Sequence, residues 1–191
     1  MKITVKLIAA HNTLNKLERL LTLYYNIFQQ SKDEGFYYEN DTYFEIENEL
    51  TVSRLTGERY INILLEAGRI YIDYENENCR FLRNNMFSSL GEVCEYIQEK
   101  DQEWVLEGKP DAEKKRLLHL IRLIGWLDLF LDKGEIAENE IKKYYINLAE
   151  KRKIQRDFAT IRGLDNIHLK IKRVCLGSEN IQNQWYYVVK K

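Results

Sequence analysis

Two hydrophobic periods alternate along this 191-residue chain, and they switch in the same order in its two halves. The opening residues MKITVKLIAAHN alternate apolar and polar as a strand does. Asn12 or Thr13 can then cap a helix whose apolar positions Leu14, Leu17, Leu21, Tyr24 and Phe28 follow the three-and-four spacing of one helical face. Gly35 ends this region, and a short helix from about Asp41 to Leu50 carries Tyr43, Phe44 and Ile46. Ser53 opens a further helix that Ala67-Gly68 closes. Its inner side holds Gly57, Ile61, Leu64 and Gly68, which leaves Arg54, Thr56, Glu58, Arg59 and Asn62 outside. Arg69 to Tyr74 and Cys79 to Arg83 then alternate around the polar turn Glu75 to Asn78, the pattern of a hairpin.

The second half repeats the order. Ser89 followed by Glu92 is a capping-box signature and predicts a helix from about Leu90 to Leu106, broken by Gly108-Lys109-Pro110. Asp111 can cap the next helix, which is apolar almost all round from Leu117 to Leu131 and so must be covered on more than one side, as a central core helix or a dimer interface. Gly134 ends it. Asn139 caps a short helix through Ile146, and Leu148 to Ile161 reads as a third, with Ile154, Phe158 and Ile161 inward. Strands His168 to Leu176 and Gln184 to Val189 flank a Gly177 to Gln182 turn.

Helix, helix, helix, hairpin is the order of a winged helix-turn-helix, and specific segments strengthen the likeness. Gln155-Arg156-Asp157 within RKIQRDFATIR is similar to the recognition helix of DeoR-type and WYL-associated bacterial regulators, and VSRLTGERYINILLEAGRI looks like the same general class. The resemblance covers about 70 residues in each half, a span of small domains. It implies a mainly α protein with small β wings (α+β) built as two tandem winged helix-turn-helix domains: residues 1–86, a linker helix over 87–110, and residues 111–191. The chain departs from the family at Gly57, where an apolar anchor is usual, and at Glu150, where a small hydroxyl cap is usual.

Charge changes the weight given to the two copies. Residues 1–110 hold 12 basic and 19 acidic side chains, and residues 111–191 hold 17 and 11, so a net charge of −1 hides an acidic half and a basic one. From Ile141 to Lys191, 12 basic residues face four acidic ones, and a polyanion should meet this end first. The functional candidates follow. Lys151, Arg152, Lys153, Gln155, Arg156 and Arg162 would lie along a DNA major groove, with Arg and Lys on phosphates or guanine edges and Gln155 on adenine. Lys170, Lys172 and Arg173 would be phosphate contacts of the wing, grouped on one strand face. In the acidic half, Ser53, Arg54, Thr56, Arg59 and Tyr60 form the corresponding set, with protein binding an equal alternative there.

Composition bounds the rest. At 45 % hydrophobic and 31 % charged, with one proline and nine glycines, the chain is a folded, helix-rich protein. Its longest apolar stretch, Leu117 to Leu131, is interrupted by His119, Arg122 and Asp128, and its start lacks the apolar core of a signal peptide, so no membrane span and a cytoplasmic setting are expected. Cys79, Cys94 and Cys175 are far apart with no CxxC pair, and His11, His119 and His168 show no ligand or triad spacing. No Gly-rich phosphate loop or nucleophile elbow is present, which predicts no enzyme, metal or cofactor. Most of the 13 tyrosines fall at core periodicities. The expected function is a transcriptional regulator or replication initiator that binds double-stranded DNA as a homodimer. The alternatives are a tandem winged-helix scaffold that binds the kleisin subunit of SMC complexes, and a phage-encoded inhibitor of a nucleic-acid-targeting defence system.

Overall fold

A computed structural model of the chain describes residues 16–27, 37–38, 47–48, 50, 52–75, 78–144, 151–164, 170–176 and 184–190. The predicted opening strand, most of the Asp41–Leu50 helix and the whole Gly177–Gln182 turn lie outside them. The protein is mainly helical with two small antiparallel sheets, and it divides into two compact units, Met1–Asn85 and Met86–Lys191.

In the first unit, helix α1 (residues 16–27) buries Leu20, Leu21, Leu23, Tyr24 and Ile27. Strand β1 (Tyr37–Tyr38) precedes helix α2 (Arg54–Glu66), which leads into strands β2 (Ile70–Glu75) and β3 (Asn78–Arg83). Ser53 is extended at the start of α2, and its carbonyl accepts the first helical N–H groups from Thr56 and Gly57. Its hydroxyl meets Thr56 Oγ1 at 3.1 Å and caps no backbone N–H. The helix ends where Gly68 takes φ 64°, a conformation glycine adopts without a Cβ penalty. Asn84 Nδ2 donates to the Gly68 carbonyl and Arg69 Nη2 to that of Asn85, so the far end of the hairpin is tied to the helix terminus. Strand β3 pairs with both β2 and β1 in the order β1-β3-β2.

The second unit begins with α3 (Leu90–Leu106) and α4 (Asp111–Lys133), joined through Gly108 at φ 70°. They run antiparallel: Val93 meets Gly125, and Lys114 pairs with Asp101 at 3.1 Å. The helix predicted to link two domains therefore packs inside the second one, burying Leu90, Val93, Cys94 and Trp104. Ser89 Oγ accepts from the Glu92 N–H, while the Glu92 carboxylate accepts from the N–H and hydroxyl of Ser88, one residue earlier than a capping box requires.

Helix α4 is the centre of this unit, since every residue from Leu123 to Phe130 is buried. Its apolar girth is buried over this stretch, as a central core helix requires. Asp128 interrupts it for a reason: its Oδ2 accepts the buried N–H of Phe87 at 3.1 Å. Pro110, not Asp111, is the residue before the first turn, and its lack of an N–H costs nothing there. Strand β4 (Glu135–Ala137), helix α5 (Glu138–Lys143), helix α6 (Lys151–Arg162) and strands β5 (Lys170–Leu176) and β6 (Gln184–Lys190) complete it. Ala137 takes the place before α5 that Asn139 was expected to fill. The sheet order β4-β6-β5 matches that of the first: a short strand, then helical chain (α2 in the first unit, α5 and α6 in the second), then a hairpin whose last strand pairs with that short strand. No helix among the described residues is long and apolar enough to cross a membrane.

Candidate nucleic-acid interface

Helix α6 is divided by its periodicity into a buried stripe and a basic exterior. Ile154, Asp157, Phe158 and Ile161, spaced three and four apart, face inward. Phe158 stacks edge-on against Trp126 and Phe130 of α4, at centroid distances of 5.1 and 5.5 Å, and meets Tyr187 of β6 at 4.7 Å. This leaves Lys151, Arg152, Lys153, Gln155, Arg156 and Arg162 exposed, and no acidic residue lies in the first turn.

One carboxylate fixes the helix against α4. Asp157 is 1 % exposed. Its oxygens accept from Arg122 Nε at 2.6 Å, Arg122 Nη2 at 3.1 Å and Trp126 Nε1 at 3.3 Å, and His119 Nε2 lies 3.0 Å away. Burial pushes the Asp157 carboxyl up, but the hydrogen bonds of His119 and Arg122 and the guanidinium charge outweigh it and hold the group below the usual carboxylate range. Asp157 is thus a structural anion, and the five cations of α6 outside it have no acidic counterpart on their own helix. The sequence had shown no carboxylate partner for His119, because the two are 38 residues apart. The recoverable signal was the stripe Lys115, His119, Arg122 and Trp126 on α4, one polar line at helical spacing along an apolar helix.

The residues expected to form a wing separate. Lys172 and Arg173 are consecutive on β5 and so point to opposite faces, against the expectation that they share one. Lys172 is exposed. Arg173 binds Glu138, the first residue of α5, with Nε and Nη2 at 2.8 and 2.7 Å from Oε2. Burial raises the Glu138 carboxyl, while Arg173 and Lys142 lower it by more. The backbone of Lys170 pairs with Lys190, and its side chain lies outside the described residues.

The first unit offers a different face. Tyr60 is 5 % exposed, buried like Gly57, Ile61 and Leu64 of the same helix, and is a core residue where a surface contact was expected. Arg54 pairs with Glu58 at 3.2 Å. Ser53 and Arg59 are exposed and Thr56 is partly covered. No metal-holding group of three or more His, Cys, Asp or Glu occurs among the described residues. Comparison of the chain with protein-family models, with curated proteins and with solved structures gave no match.

Proposed function

We propose that the chain is a DNA-binding protein of two tandem winged-helix units, a transcriptional regulator or replication initiator, whose second unit makes the principal contact through α6. The observation that carries this reading is the exterior of α6: five cations and Gln155, exposed on a helix whose inner stripe is locked by Asp157 and Phe158. Lys151, Arg152 and Lys153 stand in the first turn, where the positive end of the helix dipole disfavours them by about 0.3–1 kcal/mol each, and a bound phosphate would reverse that sign. The shared connectivity of the two sheets supports the tandem repeat, and the short strands β1 and β4 supply the third strand that a winged helix carries. Arg152, Arg156 and Gln155 are the base-reading candidates, and Lys172 is the wing's phosphate contact. Homodimer formation would double the contacts by presenting two half-sites.

Anisotropy titrations against genomic DNA fragments over a series of salt concentrations test the reading. A selected fragment binds much more tightly than unrelated DNA, and Arg156→Ala weakens it. Equal affinity for all fragments, or no effect of Arg156→Ala, rejects it.

The first unit supports a second role, in protein recognition. Leu55, Tyr71 and Tyr74 are exposed there at 58 %, 45 % and 75 %, beside a helix with one cation, Arg59, unpaired among the described residues. A kleisin-binding scaffold would use such a surface, and co-purification of an SMC or kleisin partner from the native host would favour it.

A further inference from the structure

A cleft of about 480 Å³ opens in the second unit between α4 and α6, within the range of about 300–1,000 Å³ usual for small-molecule sites. Its floor is the Asp157 cluster described above. Around it stand Lys115 of α4 and Lys153 and Arg156 of α6, and Ile97 of α3 with Leu118 of α4 adds an apolar wall. Asp157 is the one carboxylate in the lining, and Arg122 already neutralises it. Among the described residues no ion pair engages Lys115, Lys153 or Arg156. Lys114, the neighbour of Lys115, differs: it reaches Asp101 at 3.1 Å and Asp111 at 3.7 Å. Three uncompensated cations therefore converge on one concavity with partly apolar walls, a shape that concentrates positive potential.

We propose that this cleft binds a nucleotide or a comparable phosphate-bearing small molecule, and that this ligand competes with DNA for Lys153 and Arg156. The phosphates meet Lys115, Lys153 and Arg156, while Ile97 and Leu118 receive the ring. The lining separates this site from the outward face of α6, since Arg152, Gln155 and Arg162 are not part of it. The competition rests on the DNA-binding reading; ligand binding does not.

Calorimetric titration of the full chain with ATP, inorganic pyrophosphate and adenosine at constant ionic strength tests both parts. ATP and pyrophosphate bind saturably, and adenosine does not. Lys115→Gln weakens ATP binding by about tenfold or more, the loss of one charge-assisted contact of at least about 1.4 kcal/mol. Lys115→Arg retains it, and Arg152→Gln leaves it unchanged while weakening DNA. ATP displaces a bound duplex. The proposal is overturned by absent ATP binding, by equal binding of adenosine, or by Lys115→Gln and Lys153→Gln variants of unchanged circular dichroism that bind ATP normally. It is likewise overturned if Lys115→Gln weakens the duplex alone, since a backbone phosphate would then fill the cleft. ATP binding without any DNA binding would refute the regulator and leave the ligand site standing.

Discussion

Arg122 clasps the carboxylate of Asp157 through two N–H groups, Nε to Oδ2 at 2.6 Å and Nη2 to Oδ1 at 3.1 Å, across 35 residues of chain. The pair is nearly enclosed, with side-chain exposures of 13 % and 1 %. It decides where α6 can sit, because the same carboxylate is held by Trp126 and His119 on successive turns of α4. Removing one member of such a pair leaves a buried charge uncompensated, at a cost of about 3 kcal/mol. Asp157→Asn should therefore lower the melting temperature of the second unit by about 10 to 20 °C, measured by calorimetry. A shift of a degree or two would show that packing around Phe158 alone orients the helix.

Acid should act on the same point. The folded pKa values of Asp157 and Glu138 both lie below the unfolded values of about 3.9 and 4.3. Such groups contribute stability that is present above the unfolded pKa and lost as pH falls through the folded one. Urea midpoints should hold steady from about pH 7 to 5 and fall below about pH 4. Asp157→Asn should flatten that fall, and a variant with the wild-type acid slope would contradict the assignment.

Gly125 reports how closely α3 and α4 approach. A Cβ placed there would lie 2.7 and 2.8 Å from the two γ-carbons of Val93. Valine is branched at Cβ and stiff, so the clash cannot be relieved by rotating a distant atom. Alanine gains about 1 kcal/mol in helix propensity, but overpacking costs about 1–3 kcal/mol. Gly125→Ala should therefore destabilise the second unit by about 1 kcal/mol. Adding Val93→Ala should recover part of the loss, giving a coupling of at least about 0.5 kcal/mol in a double-mutant cycle. Strict additivity would mean the helices are not in contact at this point.

Local signals made much of this fold legible, and long-range ones did not. The bounds of α3 followed from Ser89, Glu92 and the Gly108 break, and the β2–β3 hairpin from alternation about a polar turn. Strands β1 and β4, of two and three residues, are too short to display a period. The exposed cations of α6 were readable from its inward stripe. Tyr60 was equally readable as core, three residues after Gly57 and four before Leu64, and Lys172 and Arg173 as opposite-facing. The pairing of α4 with Asp157 was not, because nothing local shows which helix face will meet a carboxylate more than 30 residues away.

Glu138 restrains Arg173 of β5. Its carboxylate is 6 % exposed and holds Arg173, itself 47 % exposed, while Lys142 approaches the other oxygen at 3.5 Å. An arginine held this way offers a phosphate less than a free one, because the guanidinium would have to leave one anion for another. Glu138→Gln keeps the shape of the side chain and removes its charge. Arg173 then loses its ionic partner at Glu138, and a carboxylate that would repel DNA is gone. If the wing touches the backbone, the variant should bind DNA more tightly at low salt, and the slope of log K against log salt should steepen by about 0.9 for each phosphate gained. Arg173→Gln should leave wild-type affinity nearly unchanged yet abolish the gain when combined with Glu138→Gln. An unchanged slope in Glu138→Gln would confine the DNA contact to α6 and Lys172.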